Sequence, residues 1–426
     1  MLQLVNVGHK SLADYATIAT RGLMDEIRRL ADPLQGKRIA HVSATAFGGG
    51  VAEINYTLVP LMQSAGLETE WRIIKGADEF FNVTKTIHNG LQGNPQGLAG
   101  EQQAIFTRYQ ELNAREIDPE DYDFVIVHDP QPVGVIDYLG GGSAKWIWRG
   151  HIDFSTPNWD VFNFLLPSIK RYDAAIFHMH QYVPKVEGLP DCYIWPPAID
   201  PLAPKNMALS MEDAAYIVDQ FGIEVDRPLL TQVSRFDPWK DPLGVIDAYR
   251  VVKEQQQGVQ LALVGSMAHD DPEGWDFYNQ TVAYAAGDPD IYILSNLNNV
   301  GSVEVNAFQV HAAAVIQKSI REGFGLTVAE ALWKARPMVA GNVGGIVTQI
   351  QRGETGWLVD SSEECAHACL EILADPGMAR ARARAGKEYV RRHFLTPRLL
   401  RDWLVLFNRL LGNDTAGVEV ETVASA

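Results

Sequence analysis

The stretch AAAVIQKSIREGFGLTVAEAL, residues 312–332, changes character midway. Residues 312–318 form a short apolar run that closes on Gln317 and Lys318, the make-up of a strand buried on both faces. A glycine-bracketed loop follows, and FGLTVAEAL then opens a helix expected over 325–335. A buried strand that feeds a helix is half of a βαβ unit, which requires a parallel neighbour.

The same alternation runs outward in both directions. Upstream, apolar runs at 229–236, 260–266 and 291–297 read as strands, with another at 337–341, and helices fill 242–256, 274–286 and 302–310. In the first half, strands are expected at 38–44, 69–75, 123–129, 145–151 and 174–179, with helical patterns at 51–65, 99–116 and 157–171. Between the halves, residues 194–206 hold Pro196, Pro197, Pro201 and Pro204. Proline fixes φ and removes a donor, so this segment reads as a linker or hinge. The fold class is therefore α/β, with two Rossmann-like domains facing each other across a cleft. Their expected extents are 1–200 and 201–396, with a last helix at about 397–412 packing back on the first domain. The tail, 413–426, lacks periodicity and is expected to be disordered.

Bulk properties narrow the partners. A chain of 426 residues is too long for one ordinary core. A formal net charge of −17 argues against a nucleic-acid or anionic-membrane surface. Cys192, Cys365 and Cys369 form no disulfide framework or paired metal motif, and the last two lie one helical turn apart. No basic-then-apolar leader and no bilayer-length apolar run appear, so a cytoplasmic protein is expected.

Ligands of parallel sheets bind beyond the carboxyl ends of the strands. After the strand at 38–44, FGGGVAE (47–53) opens a helix with successive glycines, including Gly49 and Gly50. Glycine lets backbone N–H groups approach a phosphate, although a tight turn would also use it. The motif is not GxGxxG, so a nicotinamide cofactor is not supported. In SRFDPWKDP (234–242), Arg235 and Lys240 follow a strand and suit a diphosphate, while Asp241 and Pro242 suit a helix start. In the opening stretch, Gly323 and Gly325 keep side chains away from the helix mouth. The N–H groups near Leu326 and Thr327 are then free for phosphate oxygens. Glu322 can accept from sugar hydroxyls and Glu330 from a ribose. The plainer alternatives are a dipole partner for Glu322 and an exposed helix position for Glu330. His178 and His180 have a metal-like spacing on one strand face, but no third ligand accompanies them.

Two glutamates with seven residues between them, preceded by the Arg and Lys, resemble the retaining family-four glycosyltransferases of the GT-B fold. SATAFGGGVAEI, FFNVTKTIHNGLQG, HDPQP, WRGHID and VSRFDPWKDP are similar to the trehalose glycosyltransferring synthases, over about residues 35–412. The resemblance implies that Arg235 and Lys240 hold the donor diphosphate. It places Glu322 at the donor sugar, Glu330 at the ribose, and Gly49 and Gly50 over the phosphates. It sets His151 beside the transferring sugar and Asp129 on the acceptor side. The implied ligands are nucleoside-diphosphate glucose, glucose and trehalose, with no nucleic acid or membrane and room for a homodimer. No tightly bound cofactor and no dedicated metal cage are expected, and a divalent cation such as Mg2+ is left open as an aid to the diphosphate. A trehalose phosphorylase, another family-four glucosyltransferase and a non-catalytic sugar or nucleotide sensor remain alternatives.

Overall fold

The computed structural model describes residues 2–47, 49–139, 142–267, 272–415, 418 and 421–423. Residues Met1–Ala198 and Thr396–Ala426 form one compact unit, and Ile199–Leu395 another.

In the first unit the strands are β1 (Gln3–Leu4), β2 (Arg38–Ser43), β3 (Glu68–Ile73), β4 (Phe124–His128), β5 (Lys145–Arg149), β6 (Ala174–Phe177) and β7 (Asp191–Ile194). They lie in the order β1-β3-β2-β4-β5-β6-β7, parallel apart from β1. β4 is apolar until its last residue because both faces are covered. The helices are α1 (Arg21–Ala31), α2 (Gly49–Ser64), α3 (Asp78–Leu91), α4 (Gly100–Ala114) and α5 (Trp159–Ile169). Thr20 caps α1 by accepting from the Leu23 N–H, and Met24, Ile27, Leu30 and Ala31 line its buried face.

The second unit carries β8 (Leu229–Val233), β9 (Gln260–Val264), β10 (Ile291–Leu294), β11 (Ala314–Gln317), β12 (Met338–Gly341) and β13 (Trp357–Val359). Their order is β10-β9-β8-β11-β12-β13, all parallel. This is the doubly wound arrangement, and the strand order reverses between β8 and β11. Around it lie α6 (Met211–Asp219), α7 (Pro242–Gln255), α8 (Pro272–Ala285), α9 (Ser302–His311), α10 (Leu326–Trp333), α11 (Ser362–Ala374) and α12 (Pro376–His393). Cys365 and Cys369 are buried in α11.

Several expected strands end earlier than their apolar runs. β8 stops at Val233 rather than 236 and β6 at Phe177 rather than 179. Pairing ends where the chain must turn, and the surplus residues become loops at the sheet edge. His178 and His180 therefore do not share a strand face: His178 is buried just past β6, and His180 opens a 3-10 turn with its ring exposed.

A last helix, α13 (Thr396–Leu410), packs against α1 and α2 in the first unit. Trp403, Leu404, Leu406 and Phe407 are fully buried, while Arg398, Arg401 and Asp402 of the same helix are held in ion pairs. Part of the tail 413–426 lies outside the described residues. In the described part, disorder is not what is found. Val418 is buried, and β14 (Thr422–Val423) adds an antiparallel edge strand to β7. Backbone pairing at an open sheet edge supplies the order that the tail's composition lacks.

Candidate active site

In the second unit, the ends of β8 and β11 meet where the strand order reverses. Arg235 lies two residues past β8, with most of its side chain in solvent and one bond of 3.2 Å to Asp237. Lys240 closes a 3-10 turn at Pro238–Lys240, and its Nζ lies 2.5 Å from Glu322 Oε2. Ser319 Oγ also donates to Glu322, at 3.2 Å. Asp241 adopts left-handed φ of 48° and accepts from the Gly244 N–H at 3.0 Å, so it caps α7 as its sequence suggests. The buried Lys318, one residue past β11, pairs with the same Asp241 carboxylate. Sequence reasoning assigned Lys318 no role. Its only signal was a lysine ending an apolar run.

Gly325 precedes α10 with φ of 81°, a conformation in which a side chain is strained. A Cβ there would also come within 3.1 Å of Glu322 Cγ. The Gly323 carbonyl accepts from the Gly345 N–H at 3.2 Å, which pins the loop. Leu326 begins the helix without a side-chain cap before it, so its first N–H groups remain available to an anion. Thr327 Oγ1 donates to the Val233 carbonyl at 3.2 Å and fastens the helix start to the end of β8.

Glu330 is not exposed: only 1% of its surface reaches solvent. Its Oε1 lies 2.7 Å from Lys205 Nζ, and Gln309 donates to Oε2 at 3.3 Å. Burial opposes ionisation, but Lys205 and Lys334 outweigh it and hold the carboxyl below its ordinary pKa. Lys205 lies in the proline-rich segment read as a hinge, where nothing signalled a site residue. Lys205, Arg235, Thr327 and Glu330 line one cavity of about 330 Å³, with Ser266 and Gly301 among the other walls.

Gly49, Gly50, Asp129 and His151 belong to the first unit. Gly49 opens α2 with φ of 78°, and among the described residues no atom outside its chain neighbours and its own helix backbone stands within 4 Å of where its Cβ would be. Asp129, just past β4, has left-handed φ of 62°. Three bonds hold it there. Its N–H donates to the Arg149 carbonyl at 2.9 Å, its carbonyl accepts from Trp148 Nε1 at 3.0 Å, and its Oδ1 accepts from the His151 N–H at 2.7 Å. The residue keeps some solvent contact, yet burial pushes its carboxyl up to about 7 against the His151 bond and Arg149. Behind it lies Arg149, fully buried, with no hydrogen-bond partner among the described residues for its three guanidinium nitrogens and its guanidinium 5.7 Å from the Trp403 ring. Burial and Arg398 lower its pKa to about 9. Nothing in the sequence marks Arg149, or the imidazoles of His41 and His128 beside it, as site residues.

Among the described residues, no group of three or more His, Cys, Asp or Glu is placed to hold a metal ion. None of their helices is long and apolar enough to cross a membrane.

Residues 41–184 match the family model for the trehalose synthase N-terminal domain, and residues 215–389 that for glycosyl transferases group 1. A trehalose synthase of Rubrobacter xylanophilus is 59% identical over 97% of this chain and 100% of its own length. One from Pyrococcus horikoshii is 44% identical over 95% of this chain and 98% of its own. A trehalose phosphorylase of Grifola frondosa is more distant, 27% identical over 89% of this chain and 58% of its own. Among solved structures, a sucrose-phosphate synthase from Thermosynechococcus elongatus superposes with a TM-score of 0.67 at 17% identity, covering 88% of this chain and 99% of that one. That likeness carries the fold alone. With two doubly wound units and relatives matched end to end, the chain belongs to the trehalose synthase family of glycosyltransferases, with the GT-B fold.

Proposed function

We propose that this glycosyltransferase moves glucose from a nucleoside-diphosphate glucose to glucose, with retention, and so forms trehalose. The observation that carries the nucleotide reading is Glu330, an ionised carboxylate in the wall of the cavity that Arg235 and Thr327 also line. A carboxylate there suits the paired hydroxyls of a ribose, which only a nucleotide donor brings. In this reading the donor diphosphate lies along the start of α10. Arg235, Lys240 and the first N–H groups of that helix offset the charge that develops as the diphosphate leaves. Glu322 accepts from hydroxyls of the transferred glucose. Gly49 and Gly50 lie over the phosphates, His151 stands beside that glucose, and Asp129 accepts from a hydroxyl of the acceptor. No side chain is assigned as a nucleophile, so the acceptor attacks on the face from which the diphosphate departs.

Mg2+, where used, would be held by the donor diphosphate itself and would help to offset the charge that develops on it. Rates measured with and without EDTA test that point. The wider reading is tested by product analysis with ADP-, UDP- and GDP-glucose against a panel of acceptors. Nucleoside diphosphate released together with trehalose supports it. Phosphate-dependent trehalose cleavage, with no nucleotide turnover, would assign the chain to phosphorylase chemistry instead.

A further inference from the structure

Three imidazoles in the first unit are joined end to end. His41 Nδ1 lies 2.9 Å from His128 Nε2, and His128 Nδ1 lies 2.9 Å from His151 Nε2. Their rings stack with centroids 5.2 Å apart at each step. His41 is on β2, His128 ends β4, and His151 follows β5, so three neighbouring strands set the chain. Burial first, and then the positive charge of Arg149 and of neighbouring rings, holds all three below the ordinary histidine pKa. At neutral pH each ring is therefore neutral and carries one proton.

The protons can be counted. Each of the two links needs one N–H donor and one lone pair. Three rings carry three protons, and the links use two. The third must sit at one end, on His41 Nε2 or on His151 Nδ1. His41 Nε2 is buried and has no hydrogen-bond partner among the described residues. An orphaned buried N–H is more costly than an orphaned lone pair, and the buried Arg149 cation favours the lone pair further. At the other end, the His151 residue is partly exposed. Its backbone N–H, not its ring, meets Asp129 Oδ1, and the His178 ring stands edge-on to it with centroids 5.5 Å apart.

We infer that His41 and His128 are positioning residues that lock His151 as the Nδ1–H tautomer, so that it presents a hydrogen-bond donor, and not a base, to the sugar. The inference rests on the reading that His151 stands beside the transferred glucose. A donor at that place binds a hydroxyl oxygen of the glucose without taking its proton.

Full-length protein labelled with 15N-histidine gives the tautomer directly from long-range 1H–15N correlation at neutral pH, with His151→Gln used to assign the signal. The expected spectrum shows His151 protonated at Nδ1 and bare at Nε2. An Nε2–H ring, or a cationic one, would overturn the proposal without any variant having to fold. In His128→Phe, which keeps a stacked ring but no link, His151 should become a mixture of tautomers. Its kcat should fall about tenfold, the loss of one neutral hydrogen bond, with KM for the donor little changed. A pure Nδ1–H signal in that variant would also overturn the lock. An Nδ1–H spectrum together with near-normal trehalose formation by His151→Ala would support the lock and remove the sugar contact, so the two readings fail separately.

Discussion

Lys240 Nζ and Glu322 Oε2 lie 2.5 Å apart although the two residues are 82 positions apart in the chain. Both side chains are largely buried, at 16% and 11% exposure, so the pair is shielded from solvent. Arg235, the other cation of the diphosphate reading, is 67% exposed.

The contrast splits two variants that should look alike in activity. Arg235→Ala and Lys240→Ala should each lower turnover by about 10²–10³, the loss of one donor to a developing charge. Only Lys240→Ala should also destabilise the fold, by roughly 1.5–3 kcal/mol, because it removes one half of a largely buried ion pair. Initial rates and urea unfolding measured on both variants check this. Equal stability of the two would contradict the pairing.

Glu330→Gln should weaken nucleoside-diphosphate binding by on the order of tenfold or more. Lys205 loses the charge of this partner in the same change. Binding of glucose or trehalose, neither of which carries a ribose, should stay the same. Calorimetric titrations with nucleoside diphosphate and with each sugar separate these outcomes. Unchanged nucleotide affinity would remove Glu330 from the ribose role.

Asp129 gives a stability effect that depends on pH. Its carboxyl is raised from 3.8 to about 7 in the fold, so the folded chain binds the proton more tightly than the unfolded chain does. The folded state then loses stability as pH rises from about 4 through about 7, by at most ~1.4 kcal/mol per pH unit. Asp129→Asn keeps a left-handed residue and an oxygen for the His151 N–H but cannot ionise. Relative to the parent, the variant should gain stability between pH 4 and 8 and differ little near pH 4. Melting curves across that range would show parallel pH profiles if the shift were absent.

Gly325→Ala should cost about 1–2 kcal/mol, because the residue must hold φ of 81° with a methyl group pressed toward Glu322. It should also weaken nucleoside-diphosphate binding by displacing the start of α10. A stable variant with parental affinity would show that the turn need not hold this shape.

Much of this could be read from the chain alone, because it depends on neighbours in sequence. An unbroken apolar run marks β4, the helical spacing of apolar residues marks α13, a glycine marks the left-handed turn before α10, and Asp241 with Pro242 marks the start of α7. The candidate diphosphate residues were legible for the same reason: Arg235 and Lys240 lie in the segment between one strand and the next helix. Strand order was not legible, since a buried parallel strand has the same apolar pattern wherever it lies in its sheet. Only the tertiary structure sets β8 beside β11 and so brings Lys240 to Glu322. It alone buries Glu330 against Lys205, drawn from a segment that reads as a hinge, and joins His41, His128 and His151 across three strands. It also gives part of the tail an edge strand to pair with. Local patterns record which residues turn inward along one element. What they meet there depends on how distant elements pack, and no single element's period carries that information.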